Sequence, residues 1–310
     1  MLPRDFVRPN AGTGPVRPRQ IAPPIPRPAP PRPEPRPPGP LRPQPAVLGQ
    51  SPVLPGGTLR PYQEEGIQLM AGFRGRALLA DDVGLGKTPT ALAWLHQHPE
   101  LRPALVVCPA NIKIQWHRQT LRWLGAPEEE VGVGVLEGRH GGEVRPVTIV
   151  NYDILGWRMT ELRALAPKVL ILDESHYLKE AARARSKAVL ALSRLRSVES
   201  VLGLTASPTL NRPKELWHQL LVINPTLWPD FYKFAMRYCS PQKKSFYVKD
   251  GGGAKRSAWD FSGASNLDEL DLLLRRRVMI RRLKSEVEGQ LPEHQTTTIP
   301  FPADLGAYQR

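Results

Sequence analysis

Two short segments of this chain combine residue types suited to chemistry on a phosphate group. The first, ADDVGLGKT at residues 80–88, places Gly84 and Gly86 just ahead of Lys87 and Thr88. A glycine loop that opens a helix aims free backbone N–H groups at phosphate oxygens. In that pattern the Lys87 ammonium neutralises β- and γ-phosphate charge, and the Thr88 hydroxyl holds Mg²⁺. Taken alone, the segment is also compatible with a chance glycine turn.

The second segment, LILDESH at residues 170–176, places two carboxylates and an imidazole after a short apolar run. Such a run predicts a β-strand that delivers Asp173 to its end, where the carboxylate can anchor Mg²⁺ while Glu174 polarises an attacking water. Acidic pairs after apolar strands are common, but both segments stand where a phosphate loop and a later parallel strand need them. Together they predict an ATP-hydrolysing site with four catalytic residues: Lys87, Asp173, Glu174 and His176.

The first segment departs from the generic phosphate loop at one position. The generic loop has glycine six residues before its lysine, whereas this chain has Asp81. Pro89 follows Thr88, and proline suits the first turn of a helix because the N–H groups there lack intrahelical partners. We therefore predict a helix start here and a nucleotide-binding set of Asp81, Gly84, Leu85, Gly86, Lys87 and Thr88.

The N-terminal part of the 310-residue chain differs sharply in composition from the rest. Residues 1–57 hold 19 of the 35 prolines, eight arginines and two acidic residues, and so carry +6 of the net charge of +14. Repeated PRP and PPxP units favour extended polyproline II and lack the apolar residues of a core. We predict a disordered basic tail over 1–57 that is a plain spacer, a phosphate-binding arm or a docking strip for a proline-reading domain.

Cysteine use and hydropathy exclude some classes of protein. Only Cys108 and Cys239 are present, without CxxC spacing, which supports neither a disulfide framework nor a zinc site. No apolar run approaches the roughly 20 residues of a membrane span, and the proline-rich N-terminus lacks a secretory signal. We expect no membrane partner, and a location in the cytoplasm or nucleoid of a prokaryote or virus, or in the nucleus of a eukaryote.

From Leu59 onward, short apolar strands alternate with amphipathic helices. Strands are predicted at 76–80, 104–108, 147–150, 168–172 and 200–204, and helices near 61–72, 88–98, 112–124, 185–195 and 213–222. This order predicts an α/β fold with a parallel sheet flanked by helices and with ligands at the carboxyl ends of its strands. After residue 222 the pattern predicts helices at 230–238 and 267–283, around a flexible basic loop at 240–262.

Several further blocks carry a family resemblance. They are RPYQ at 60–63, VVCPANIKIQW at 106–116, VTIVNYDIL at 147–155, LTASP at 204–208 and RRLKSEV at 281–287. In order and spacing, across about residues 58–300, these blocks resemble the first ATPase lobe of the Swi/Snf-type branch of helicase superfamily two. Three C-terminal blocks look especially like the annealing-helicase (HARP-like) branch. They are NRPKELWHQLLVINPTLWPDFYKFAMRYC at 211–239, WDFSGASNLDELDLLL at 259–274 and VMIRRLKSEV at 278–287. The resemblance implies a RecA-like P-loop domain that uses ATP and Mg²⁺.

The resemblance also implies roles for individual residues. Gln63 would read the adenine edge, and the alternative is a solvated polar residue at a helix start. The segments at 109–116 and 151–152 match those that lie against the phosphates of a DNA strand in the family, without a base code. This implies DNA contacts at Pro109, Asn111, Lys113, Asn151 and Tyr152.

The LTASP segment stands where the family commonly has TGTP, which relays nucleotide state between the ATP site and DNA. Ala206 replaces glycine and Ser207 replaces threonine, so a hydroxyl survives and we expect Thr205 and Ser207 to keep the relay. His176 is expected to contact this segment, and the alternative is a merely satisfied buried imidazole.

Two other sets of residues have competing interpretations. In the family, RRLKSEV closes the first lobe, so Arg281 and Arg282 are expected to touch DNA or a second lobe, unless the charge run there is a solvated helix face. Large aromatic residues at helical spacing usually pack in cores. We therefore expect core packing, not base stacking, for Trp116, Trp123 and Trp157.

Proteins of this family hydrolyse ATP between two lobes, the second of which supplies an arginine finger. No second-lobe motif follows in this sequence, and LGAYQR at 305–310 resembles the first turn of a truncated helix. We predict one lobe at 58–300, the start of a connection at 301–310 and little activity alone, because loss of an arginine finger costs about 10³- to 10⁵-fold in rate.

The resemblance implies partners as well. They are double-stranded or fork DNA, which the protein would remodel or re-anneal without base-sequence preference, and a second lobe in cis or trans. One alternative is a non-catalytic module that binds nucleotide and DNA and regulates a partner. Another is a strand-separating helicase, which the resemblance disfavours because the Swi/Snf-type branch tracks DNA without a separation pin.

Overall fold

The computed structural model describes residues 54–125, 132–208, 210–247 and 255–291. The predicted tail up to residue 53 and the predicted connection at 301–310 lie outside these ranges. The last four residues assigned to the tail are described, and they pack on the domain. Leu54 is buried, and the Gly56 carbonyl accepts a hydrogen bond of 3.1 Å from Nε of Arg122. Residues 54–57 therefore belong to the fold.

The described strands form two sheets. Seven parallel strands make the large sheet, in the order β3-β4-β2-β5-β6-β1-β9. Two further strands, β7 and β8, pair antiparallel as a separate hairpin. The strands are β1 (Arg76–Leu79), β2 (Ala104–Cys108), β3 (Val133–Val135), β4 (Val147–Asn151), β5 (Val169–Leu172), β6 (Ser200–Leu204), β7 (Gln242–Tyr247), β8 (Lys255–Asp260) and β9 (Met279–Ile280).

Helices cover both faces of the large sheet, because parallel strands need crossover connections and these are helical here. One core packs α1, α2 and α3 against Ala77 and Leu79 of β1. The opposite core contains residues of the remaining helices and Leu78. The helices are α1 (Pro61–Gly72), α2 (Lys87–Gln97), α3 (Lys113–Leu124), α4 (Leu155–Ala164), α5 (Ala184–Ser193), α6 (Pro213–Ile223), α7 (Phe231–Tyr238) and α8 (Leu267–Arg277).

This architecture is the predicted α/β fold, and the five predicted strands agree with the structure to within one residue at each end. Because the strands are parallel, their carboxyl ends share one edge of the sheet. The phosphate-loop segment follows β1, Asp173 follows β5 and Thr205 follows β6. The fold thus brings together residues that are far apart in sequence.

Two predictions for the C-terminal part are wrong. The segment at 240–262 is not an irregular loop, because it contains the β7–β8 hairpin, of which residues 248–254 lie outside the described ranges. The helix predicted at 267–283 ends at Arg277, and the chain then enters β9. The reason is burial, since Met279 and Ile280 are buried where they pair with β1 at the edge of the large sheet.

Besides the three C-terminal strands, two further elements are not predicted by the sequence pattern. Strand β3 has only three residues, one of which is glycine, so it carries little apolar signal. Helix α4 buries Arg158 on the same face as Leu155 and Leu162. That arginine donates to the Gly141 carbonyl at 2.8 Å, and its charge hides the apolar stripe by which amphipathic helices are recognised.

Candidate nucleotide site

The segment between β1 and α2 has the backbone of a phosphate-binding loop. Gly84 and Gly86 adopt positive φ angles of 83° and 76°, which residues with a side chain adopt only under strain. Gly86 is also the N-cap of α2, and a Cβ there would collide with Nε2 of Gln63. The loop therefore ends at a helix N-terminus, whose free N–H groups favour an anion.

Lys87 lies at the mouth of this loop. Its Nζ donates to the carbonyl oxygens of Asp81 at 2.8 Å and Asp82 at 3.1 Å. Burial lowers the pKa of Lys87, while the charges of nearby carboxylates, including Asp173 and Glu174, oppose that shift. The ammonium is thus held among oxygen acceptors and close to the second motif.

Asp173 follows β5, and both of its carboxylate oxygens are held in place. Oδ2 accepts from the indole N–H of Trp116 at 2.7 Å, and Oδ1 accepts from the backbone N–H of Glu174 at 2.9 Å. The Tyr152 hydroxyl donates to the Asp173 carbonyl at 2.8 Å. Burial raises the pKa of Asp173, and the Trp116 hydrogen bond opposes this. A nearby cation would therefore stabilise the ionised carboxylate.

Glu174 lies in a strained backbone conformation, with φ 47° and ψ 51°, and such strain clusters at functional sites. Its Oε2 lies 3.0 Å from Nδ1 of His176, and this hydrogen bond lowers the pKa of Glu174. The same nitrogen lies 3.5 Å from Oγ1 of Thr205, which accepts from the backbone N–H of Ser207 at 3.2 Å. Polar contacts thus connect the second motif to the LTASP segment.

Gln63 and Leu85 meet at the apex of the loop. The Leu85 carbonyl accepts from Nε2 of Gln63 at 3.2 Å and from the Tyr62 hydroxyl at 3.0 Å. Oε1 of Gln63 accepts from the backbone N–H of Arg60 at 2.9 Å. Gln63 is buried, so it is not a solvated polar residue. In this structure its amide holds the loop.

Asp81 and Arg282 form a buried ion pair. The Asp81 carboxylate accepts from the backbone N–H, Nε and Nη2 of Arg282, and Arg282 also donates to the Tyr62 carbonyl. The Asp81 carboxylate thus faces Arg282, and Arg282 is not the solvated residue of the alternative interpretation. Nucleotide binding by Asp81 and contact of Arg282 with DNA or a second lobe stay predictions. Arg281 donates to the Ala80 carbonyl at 3.1 Å. Asp81 pairs with Arg282 because a buried carboxylate needs a charged partner.

The residues predicted to contact DNA do not form one exposed set. Asn111 is exposed, and Pro109 and Lys113 are partly exposed at the carboxyl end of β2. Nζ of Lys113 donates to the Leu136 carbonyl at 2.9 Å. The side chains of Asn151 and Tyr152 are buried, because β4 carries them into the core. Any contact of these two residues with DNA would run through the backbone.

The three tryptophans divide into two groups. Trp116 and Trp123 are buried, as predicted. Trp116 also has the role at Asp173 described above, which the sequence does not reveal. The prediction for Trp157 is wrong, because 58% of this residue is exposed.

The donor set fits a magnesium–nucleotide complex. Thr88 is the second residue of α2 and is partly exposed, and Asp173 has a carboxylate that favours a nearby cation. Within the described ranges, no group of three or more His, Cys, Asp or Glu side chains could hold a metal by itself. Mg²⁺ typically takes one or two carboxylates together with substrate phosphates, so two protein ligands beside a phosphate loop suffice.

Fold and site define a phosphate-loop domain of the parallel α/β class. A family model described as "SNF2-related domain" matches residues 62–304, and the chain belongs to that family. Among the described residues, no helix is long and apolar enough to cross a membrane.

Curated relatives support the same assignment. The chain is 39% identical over 243 residues to "SWI/SNF-related matrix-associated actin-dependent regulator of chromatin subfamily A-like protein 1" of Xenopus laevis, covering 78% of this chain and 24% of the relative. It is 38% identical over 251 residues to "DNA annealing helicase and endonuclease ZRANB3" of Mus musculus, covering 78% of this chain and 22% of the relative. The chain thus matches about a quarter of the length of these relatives.

A solved structure shares the fold. The "Sulfolobus solfataricus SWI2/SNF2 ATPase core in complex with dsDNA" superposes with a TM-score of 0.60 at 23% identity, covering 80% of this chain and 49% of that chain. The match confirms the architecture described above.

Proposed function

We propose that this domain is the first ATPase lobe of a DNA-dependent translocase that remodels or re-anneals duplex or fork DNA. One observation carries the proposal: the phosphate loop with Lys87 follows β1 and the Asp173–Glu174 pair follows β5, so both motifs lie at the carboxyl edge of one parallel sheet. Such a lysine and carboxylate pair at the carboxyl edge of a parallel sheet is the constellation that phosphoryl transfer to water requires.

Each side chain has a distinct part in this proposal. Lys87 and the loop N–H groups would hold the phosphates, and Thr88 and Asp173 would hold a magnesium ion, which would neutralise phosphate charge. The hydrogen bond to His176 lowers the pKa of the Glu174 carboxyl group, and the ionised carboxylate orients water and takes up a proton. Gln63 and Tyr62 keep the loop in its binding conformation.

The contacts that join Glu174, His176 and Thr205 support coupling between this site and DNA. One relative is named a DNA annealing helicase, and the solved structure that shares the fold is a complex with double-stranded DNA. A net charge of +14 suits contact with phosphates and no particular base sequence. For a eukaryotic source we propose a nuclear location, in keeping with relatives named as regulators of chromatin.

The proposal is tested by ATP turnover with and without fork DNA, comparing residues 1–310 with a version that extends through a second lobe. A single lobe leaves the far side of the γ-phosphate in water, and DNA has no second lobe to close. We expect weak turnover by 1–310 and strong DNA stimulation of the extended version.

Two outcomes would change this conclusion. Robust DNA-stimulated turnover by 1–310, abolished by Glu174→Gln, would overturn the requirement for a second lobe. Nucleotide and DNA binding without turnover in the extended version would favour the alternative, a non-catalytic module that regulates a partner.

A further inference from the structure

An exposed groove lies beside the nucleotide site, between the start of α4 and the start of α5. The groove encloses about 310 Å³ and combines aromatic and basic side chains. Its lining includes Tyr152, Asp153, Gly156, Trp157, Arg183 and Arg185. Aromatic faces interleaved with basic groups are the features by which proteins bind single-stranded nucleic acid.

We propose that this groove binds an unpaired nucleotide of DNA, with the base stacked on the Trp157 indole and the adjoining phosphates beside Arg183 and Arg185. This inference rests on the DNA-dependent function proposed above, and it specifies which DNA the lobe prefers. Stacking on Trp157 requires a base that has left the duplex stack, so the ligand is a fork or a single-stranded arm, not a continuous duplex.

Trp157 is exposed, and its indole ring contacts the guanidinium group of Arg139. It leaves 58% of its surface exposed, although tryptophans are highly buried on average. The Arg139 guanidinium lies 4.9 Å from the indole ring centroid, a cation–π contact that orients the ring. Trp157 lines the groove, and Arg139 does not. The indole is therefore an oriented apolar surface open to the groove.

The charges around the groove favour a phosphate. Arg185 is fixed by a hydrogen bond of 3.1 Å from Nε to the Tyr177 carbonyl and by a position 5.0 Å from the Tyr177 ring centroid. Arg183 pairs with Glu180 at 2.9 Å on the surface, and such exposed pairs are weak enough for a phosphate to compete. Asp153 is the one carboxylate in the lining. The groove lining therefore carries two positive charges and one negative charge.

The volume of the groove and its position next to the ATP site also fit an unpaired nucleotide. Its volume lies at the lower end of the range for small-molecule pockets, about 300–1,000 Å³, which suits one nucleotide. Tyr152 belongs both to the groove and to the ATP site, because its hydroxyl donates to the Asp173 carbonyl at 2.8 Å. An unpaired base would therefore bind one side chain away from the proposed magnesium ligand.

The test measures fluorescence anisotropy of the full 310-residue chain with three labelled probes that share one duplex. The first is blunt, the second carries a short single-stranded arm, and the third carries an abasic arm of equal length. Base stacking on an aromatic side chain contributes about 1–3 kcal/mol per base, which is about 5- to 150-fold in affinity. We expect the wild-type chain to prefer the base-carrying arm over the abasic arm within that range.

The variants separate stacking from fold and charge. Trp157→Ala should abolish the preference for bases and leave the affinity for the blunt duplex within about twofold, whereas Trp157→Phe should keep most of the preference. Trp259→Ala is the matched control, because 45% of Trp259 is exposed on β8, far from the groove in sequence. It should change nothing.

Three results would overturn the assignment of the groove. They are equal affinity of the wild-type chain for the two arms, a preference that survives Trp157→Ala, and a loss on all three probes alike. If the chain binds the duplex but does not prefer the base-carrying arm, only the proposed binding of a base in the groove is contradicted. Failure of both the 310-residue chain and the version extended through a second lobe to bind any of the three probes contradicts the proposed DNA-dependent function as well.

Discussion

Arg282 donates three hydrogen bonds to the carboxylate of Asp81, although 201 positions separate the two residues in sequence. Both side chains are buried. Asp81 begins the phosphate loop, and its carbonyl accepts from Nζ of Lys87 at 2.8 Å. The segment that closes the lobe therefore braces the loop that would hold the nucleotide.

Removing one partner of this pair should destabilise the domain strongly. Arg282→Ala leaves an uncompensated buried carboxylate, which typically costs about 3–5 kcal/mol. The double variant with Asp81→Ala should cost less than the sum of the single variants, because it leaves no unpaired charge. Urea unfolding measures these free energies.

Arg275→Ala is the control for that experiment. Arg275 pairs with Asp271 at 2.8 Å on the exposed side of α8, so its loss should cost under about 1 kcal/mol. Strictly additive effects of the Asp81 and Arg282 substitutions would contradict a coupled buried pair.

Lys87→Ala should weaken nucleotide binding, and Glu174→Gln should leave it nearly intact. Lys87 would meet phosphate charge in the ground state, whereas Glu174 would act on water during the reaction. Titration with a fluorescent nucleotide measures both affinities. Equal losses in the two variants would show that this division of roles is wrong.

Trp116→Phe should weaken magnesium-dependent nucleotide binding more than Trp123→Phe does. Both indoles are buried, and both substitutions keep an aromatic ring. Only Trp116 donates to Asp173, at 2.7 Å, while Trp123 donates to Gln119 at 3.1 Å. Loss of a hydrogen bond to a charged group costs about 1.5–3 kcal/mol. Titration of nucleotide at several Mg²⁺ concentrations checks this, and equal effects would rule out a special role for Trp116.

His176→Ala should raise the pKa of Glu174 toward its ordinary value of 4.5, because the hydrogen bond that lowers it is lost. In the wild-type chain the folded-state pKa of Glu174 is lower than the unfolded-state value of 4.5. As the pH falls below 4.5, the unfolded state therefore binds more protons at Glu174 than the folded state does. This stability contribution is therefore present above about pH 4.5 and is lost as pH falls through the lower folded pKa.

Carbon-13 NMR titration of the glutamate carboxyl groups measures this pKa directly. Exposed His140 lies outside the motif, so His140→Ala should leave the pKa of Glu174 unchanged. An unchanged value in His176→Ala would mean that His176 does not control this carboxylate.

Deleting residues 1–53 should weaken DNA binding and reduce its salt dependence, because arginines in that segment would neutralise phosphates. The deletion stops before Leu54, which is buried, so the folded domain is kept intact. Affinity for one duplex across a series of salt concentrations gives the slope. An unchanged slope would favour the spacer interpretation.

Much of the sheet could be predicted from the sequence because its central strands are covered on both faces. The run Val169–Leu172 is buried at every position, and such strands appear as continuous apolar segments. Gly84, Gly86 and Lys87 were equally predictable, since a phosphate loop is a local pattern. Helix α4 could not be predicted, because the charged residue Arg158 interrupts its apolar face.

Contacts between distant segments could not be predicted. Asp81 departs from the generic loop, but no feature of the sequence near Asp81 predicts that Arg282 is its partner. Likewise, Trp116 and Trp157 both stand in the first turn of a helix, yet one is buried against Asp173 and the other is exposed.

The sequence by itself determined the glycine pattern of the loop, the five central strands of the sheet and the family, because each depends on local spacing and composition. Only the tertiary structure decided which charges are paired inside the domain and which aromatic surfaces remain open to solvent. The physical reason is that burial and ion pairing depend on elements that pack together from opposite ends of the chain, as β1 and β9 do here.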